Sequence, residues 1–180
     1  MRAVRAALPA DRRRAASERI SEFGLSFCGV PPPAIIAAYA PINDELSPSP
    51  LLKRLRSLGY RIALPRMTSQ DAPLNFHLYE PGDTLISTKW GIEEPAPAAP
   101  CTHPDVVLVP LLAFSTDGAR LGYGGGYYDR TLARLRQRDP APPAIGLAFD
   151  EQMVDAIPTL NYDLTLDWIL TPTGPLRVAN

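Results

Sequence analysis

The sequence predicts an α/β protein with an open, mostly parallel sheet. Short apolar runs at 34–40, 61–64, 105–109 and 144–148 are bounded by proline, glycine or polar turns, the pattern of buried strands. Amphipathic stretches at 47–58 and 127–138 stand between them with helical spacing. A loop with four glycines in five positions (Gly122, Gly124, Gly125, Gly126) separates a strand from the start of a helix. That geometry makes an anion site, because unpaired N–H groups and the positive end of the helix dipole face the loop.

Taken in order, 1–27 reads as helix, interrupted near Pro9, with Asp11 able to cap the second segment. Its arginines form mostly a solvated face. Pro31-Pro-Pro33 ends it, and 34–40 is a buried strand followed by Pro41-Ile-Asn-Asp-Glu-Leu46. Ligands of open α/β sheets bind just past the carboxyl ends of strands, so this turn is a candidate site. Glu45 there reads otherwise as a turn or capping acid. Ser47-Pro-Ser-Pro50 starts a helix whose leucines (Leu51, Leu52, Leu55, Leu58) share a face, and Gly59 ends it. Strand 61–64 follows, and strand–helix–strand implies a right-handed parallel unit. Residues 74–79 alternate apolar with polar, as an edge strand with His77 at the surface. Thr84 to Ser87 reads as a short turn of helix, and 95–100 as a proline-rich connector. After the glycine loop, Leu132 and Leu135, with Ala133 beside them, face the core. Residues 144–148 are a buried strand, 149–157 a turn or short helix and 167–170 the last strand, with a loose tail after Thr171.

Composition narrows the function. The 180 residues are 46% hydrophobic and 21% charged, with net charge -1 and pI near 6.1, which argues against a nucleic-acid-coating surface. No apolar run reaches the roughly 18–20 residues that span a membrane. Two distant cysteines, Cys28 and Cys101, make no framework, so the reading is reduced thiols in the cytoplasm. Only two histidines are present, which disfavours a histidine metal site or triad. The loop itself is neither Walker A, which needs Lys-Ser/Thr after the last glycine, nor the dinucleotide fingerprint, which needs glycine where Tyr127 stands.

Arg120-Leu-Gly-Tyr-Gly-Gly-Gly-Tyr-Tyr-Asp-Arg130, following Val109-Pro-Leu-Leu-Ala-Phe114, closely resembles the signature of the 5-formyltetrahydrofolate cyclo-ligase family, also called methenyltetrahydrofolate synthetases. Weaker echoes are the arginine-rich first helix, Asn43-Asp-Glu-Leu46, Lys89-Trp-Gly-Ile-Glu-Glu-Pro95 and Leu166-Asp-Trp-Ile-Leu-Thr-Pro172. The resemblance implies one α/β/α three-layer domain over 1–180, of the NagB/RpiA/CoA-transferase-like type. It implies ATP- and Mg²⁺-dependent cyclisation of 5-formyltetrahydrofolate, with or without a polyglutamate tail, by a monomer or homodimer that uses no nucleic acid or membrane. ATP would lie against Arg5, Arg120, Leu121, Gly122, Tyr123, Gly124, Gly125, Gly126, Tyr127 and Tyr128. The folate would lie against Ala40, Glu45, Trp90 and the shared stretch Tyr123 to Tyr127. Arg120, Tyr127 and Asp129 would be catalytic, with Asp129 and Asp167 holding magnesium. The first residue of the family's N-terminal basic pair falls on Met1, leaving Arg5 as the match. Two alternatives remain: a relative acting on another metabolite, and a nucleotide-binding or interaction module without turnover.

Overall fold

A computed structural model describes residues 1–88 and 91–178. The helices are α1 (Arg2–Ala6), α2 (Ala10–Phe23), α3 (Ser49–Ser57) and α4 (Tyr127–Leu135). The strands are β1 (Ile35–Ala37), β2 (Arg61–Arg66), β3 (Asn75–Leu78), β4 (Leu85–Ser87), β5 (Glu93–Pro95), β6 (Cys101–Thr102), β7 (Val106–Pro110), β8 (Ala113–Phe114), β9 (Arg120–Leu121), β10 (Ala144–Leu147), β11 (Trp168–Thr171) and β12 (Gly174–Arg177). Single 3₁₀ turns occupy Ser26–Cys28 and Asp150–Gln152.

Eight strands form one sheet in the order β12-β11-β10-β7-β1-β2-β3-β6. The centre, β11 through β2, is parallel, and both flanks are antiparallel. The expected architecture is therefore present, with a more mixed sheet than the apolar runs suggested. Successive strand residues point to opposite faces, so Ile36 joins one core and Ala37 the other. The first core takes Ile20 of α2 and Leu51, Leu52 and Leu55 of α3. The second takes Leu132 and Leu135 of α4. Helices thus cover both faces, making three layers. Removing one such leucine would cost about 2–5 kcal/mol, since rigid strands leave the cavity open.

The amino edge of the parallel sheet is closed twice by one device. Asp105, just before β7, accepts the Ile35 N–H through Oδ2 at 2.8 Å while its own N–H donates to the Ile35 carbonyl. Asp167, just before β11, accepts the Ala144 N–H at 2.7 Å and donates to the Ala144 carbonyl. Each aspartate extends a parallel ladder by one closed ring, satisfying N–H groups that would otherwise end unpaired.

Several expectations are corrected. The first helical region divides into α1 and α2, with Pro9 and not Asp11 at the boundary; Asp11 lies within the first turn, where the dipole favours an acid. Residues 85–87 are strand β4, because they pair with β5. His77 is buried, its Nδ1 2.7 Å from the Ala99 carbonyl, since β6 covers the edge on which it was expected to lie exposed. Ala133 is exposed, and α4 ends at Leu135. The tail is not loose: β12 pairs with β11 through a tight turn at 172–173. A small β8–β9 hairpin stands between β7 and the glycine loop.

Candidate functional site

The carboxyl edge of the sheet gathers the expected site residues from four places. The β1 strand leads through half-buried Ala40 into the turn carrying Glu45, which is buried and accepts the Ile42 N–H at 2.9 Å. Burial raises the Glu45 pKa, against hydrogen bonds from Ile42 and from the Tyr123 hydroxyl and the charge of Arg5. A buried carboxylate with a perturbed pKa is a functional candidate. Beside it Tyr39 donates to the Leu46 carbonyl at 2.6 Å and fixes the end of this turn.

The α1 helix supplies Arg5, only 3% exposed. Its Nη2 donates to the Tyr123 hydroxyl at 2.7 Å and its Nη1 to the Leu111 carbonyl at 3.4 Å. Its Nε is buried with no hydrogen-bond partner, an orphan donor of the kind that needs explaining. Arg2 and Arg5 both approach the Tyr123 ring, at 5.2 and 5.7 Å from its centroid. Arg2, Arg5, Ile42, Asn43, Asp44 and Tyr123 line a hollow of about 410 Å³.

The loop from Gly122 to Gly126 is open to solvent and runs into the start of α4. Gly124 and Gly126 adopt φ of +90° and +63°, where a side chain is strained. A Cβ on Gly125 would lie 2.9 Å from the Tyr127 ring. The chain therefore needs glycine here for its backbone path, which keeps the loop bare and its N–H groups approachable. Arg130 closes the loop from behind, donating to the Gly125 carbonyl at 2.8 Å with its guanidinium 5.1 Å from the Tyr127 ring centre. Tyr127 packs partly against the second core, and Leu121 is exposed at the loop entrance. Tyr128 is half-buried, its phenol held protonated by burial and then by Glu45.

Two expected roles change with the geometry. Arg120 does not offer its fork to the loop: its side chain is buried, one Nη on the Leu164 carbonyl and the other on Asp129 Oδ1 at 2.5 Å. Burial lowers the Arg120 pKa, and Asp129 acts against that; arginine stays charged throughout. The Leu164 N–H also donates to Asp129 Oδ1 at 3.2 Å, so both bonds fall on one oxygen. Asp129, in the first turn of α4 beside the loop, fits a single-carboxylate magnesium site completed by phosphates. Asp167 does not fit. It belongs to the amino edge, where its Oδ2 is taken by Ala144. Among the described residues, no group of three or more His, Cys, Asp and Glu could hold a metal ion. Trp90 lies outside the described residues.

Gln152 was missed by the sequence reading. It is buried in the 3₁₀ turn, and its amide donates to the Leu111 and Leu112 carbonyls at 2.8 and 3.1 Å. Together with Arg5 it anchors the segment leading from β7 to the hairpin and loop. A larger hollow of about 560 Å³ lies at the opposite edge, between Arg136, Pro142, Pro143, Asp167, Trp168 and Arg177. The smaller hollow is the better candidate on chemical grounds, since it is lined by Tyr123 and by Arg5, which carries the orphan donor.

Fold and site define a class: an open α/β protein with a bare glycine loop and a buried carboxylate at the carboxyl edge of its sheet. Comparison with known proteins narrows this. A model of the 5-formyltetrahydrofolate cyclo-ligase family matches residues 1–172. The 5-formyltetrahydrofolate cyclo-ligase of Mycolicibacterium smegmatis is 37% identical over 145 residues, 76% of this chain and 73% of that protein. The Escherichia coli K12 enzyme of the same name is 34% identical over 143 residues, 77% and 78%. The solved 5,10-methenyltetrahydrofolate synthetase of Aquifex aeolicus superposes with TM-score 0.77 at 26% identity, covering 98% of this chain and 88% of that one. The chain belongs to the 5-formyltetrahydrofolate cyclo-ligase family. No helix among the described residues is long and apolar enough to cross a membrane.

Proposed function

We propose that the chain, as one catalytic domain, converts 5-formyltetrahydrofolate to 5,10-methenyltetrahydrofolate with ATP, releasing ADP and phosphate. The supporting observation is the pairing, at one sheet edge, of a bare glycine loop with a buried carboxylate. The formyl oxygen attacks the γ-phosphorus and ADP departs. N10 then attacks the activated formyl carbon, loses its proton, and phosphate leaves with the former formyl oxygen. An amide oxygen leaves poorly and a phosphate well, which is why ATP is consumed.

The residues act by positioning and by neutralising charge. The loop N–H groups and Arg5 receive phosphate oxygens, the guanidinium fork suiting them. Glu45 accepts from the ring N–H and amino groups of the pterin. Tyr127 borders both ligands. Magnesium held by Asp129 would offset charge on the transferring phosphoryl group. Arg120 is a positioning residue: it sets Asp129. We place the reaction in the cytoplasm, in a monomer or homodimer. Mixing protein, Mg²⁺, ATP and 5-formyltetrahydrofolate should raise the absorbance of the methenyl product. ATP consumption without that rise would indicate another acceptor, and ATP binding alone a module without turnover.

A further inference from the structure

We propose that Arg130 is a positioning residue for the nucleotide: its guanidinium holds the Gly125 carbonyl behind the glycine loop, which turns the next N–H, that of Gly126, toward the phosphate. This rests on the reading above, in which the loop N–H groups receive phosphate oxygens.

One peptide unit carries the geometry. In a planar trans peptide the carbonyl and the following N–H point in opposite directions. Arg130 Nη2 donates to the Gly125 carbonyl at 2.8 Å, so the Gly126 N–H faces away from Arg130. That N–H has no acceptor among the described residues. The same Nη2 donates to the Gln70 carbonyl at 3.0 Å and ties the loop to the connection between β2 and β3. The guanidinium also lies over Tyr127, 5.1 Å from the ring centre. Gly126 makes room for it: a Cβ there would lie 2.6 Å from Arg130 Nη1. Glycine peptides turn readily either way. Arg130 settles the turn of this one before a ligand arrives.

The charge of Arg130 acts in the same direction. Arg120, which begins the glycine-loop signature, is paired with Asp129. No carboxylate among the described residues forms an ion pair with Arg130. It is an uncompensated cation beside the loop, and its field favours an anion there.

The α4 helix supplies a matched control. Arg134, one turn further along, makes the same kind of tie to the end of the same connection, donating to the Leu74 carbonyl and, at 3.2 Å, to Asn75 Oδ1. Neither of these bonds reaches the glycine loop.

The test is isothermal titration of a non-hydrolysable ATP analogue with Mg²⁺, and of 5-formyltetrahydrofolate, into the wild type, Arg130→Met and Arg134→Met, with Tm measured for each. Arg130→Met should weaken the analogue about tenfold or more, the scale of one charged hydrogen bond, and 5-formyltetrahydrofolate less. Arg134→Met should lower Tm yet bind the analogue as tightly as the wild type. Arg130→Lys keeps the charge without the planar fork and should still bind the analogue more weakly than the wild type. Wild-type affinity for the analogue in Arg130→Met overturns the proposal. So does full recovery in Arg130→Lys, which would leave a role for charge alone. An equal loss in Arg130→Met and Arg134→Met overturns it too, since the effect would then belong to the packing of α4. No binding of the analogue by the wild type would overturn the functional reading and this inference with it, an outcome distinct from the others.

Discussion

The two edges of the sheet use charged side chains in different ways. At the amino edge, Asp105 and Asp167 each give a carboxylate oxygen to a neighbouring strand's backbone N–H. At the carboxyl edge, charged groups meet side chains as well as main chain: Arg5 with Tyr123 and Arg120 with Asp129, beside the Ile42 N–H on Glu45 and the Leu164 N–H on Asp129. A carboxylate bonded to the main chain is fixed by the fold and repays it in stability. A carboxylate that also meets a side chain, as Asp129 meets Arg120, can exchange that partner for a ligand. The contrast separates two aspartates, Asp129 and Asp167, that the family resemblance placed in one role.

The largest test of that contrast is Asp129→Ala. It should lower kcat by about 10²–10³-fold, the scale of losing one preorganised charge, with the circular dichroism spectrum unchanged; near-normal turnover would remove Asp129 from the chemistry. Next comes Glu45→Gln, expected to raise the KM for 5-formyltetrahydrofolate by about tenfold, the effect of one weakened charged hydrogen bond of about 1.4 kcal/mol. The KM for ATP should move less, and the reverse pattern would exchange the two subsites.

Asp167→Ala should act on stability instead. Leaving the Ala144 N–H unpaired costs about 1–3 kcal/mol, a fall in Tm of roughly 2–12 °C for a chain of this size. The kcat of the folded protein should stay within about threefold of wild type on this reading. A collapse of kcat with unchanged Tm would break the contrast and return Asp167 to a ligand role.

The smallest effect concerns pH. The Glu45 pKa is raised by burial, so the folded chain keeps this proton to higher pH than the unfolded chain does. Stability from this proton is full below the ordinary carboxylate range and is lost as pH rises through the folded value. Glu45→Gln should therefore flatten the decline in Tm between acid and neutral pH. An unchanged Tm–pH profile would place the group in contact with solvent.

Much of this was legible in the sequence because local pattern and burial agree. Strands β1, β2, β7, β10 and β11 are apolar runs between breakers, and α3 and α4 carry their leucines on one face. The loop was legible because its glycines satisfy a backbone requirement at Gly124 and Gly126. Other features depend on partners distant in the chain, which periodicity does not encode. His77 is buried because β6 arrives to cover it, and β4 is a strand because β5 pairs with it. The tail is ordered by pairing back on β11. In the site, Arg120 turns inward because Leu164 supplies a carbonyl from 44 positions away, and Gln152 matters only through the Leu111 and Leu112 carbonyls.

The α1 helix is five residues long, too short to persist as an isolated helix in water. Its order is borrowed from the contacts of Arg5 with Leu111 and Tyr123. Trypsin can reach the Arg5–Ala6 bond only when this segment peels away. Cleavage there is thus a gauge of how often the site's edge lifts in solution, readable by mass spectrometry without any assay of turnover.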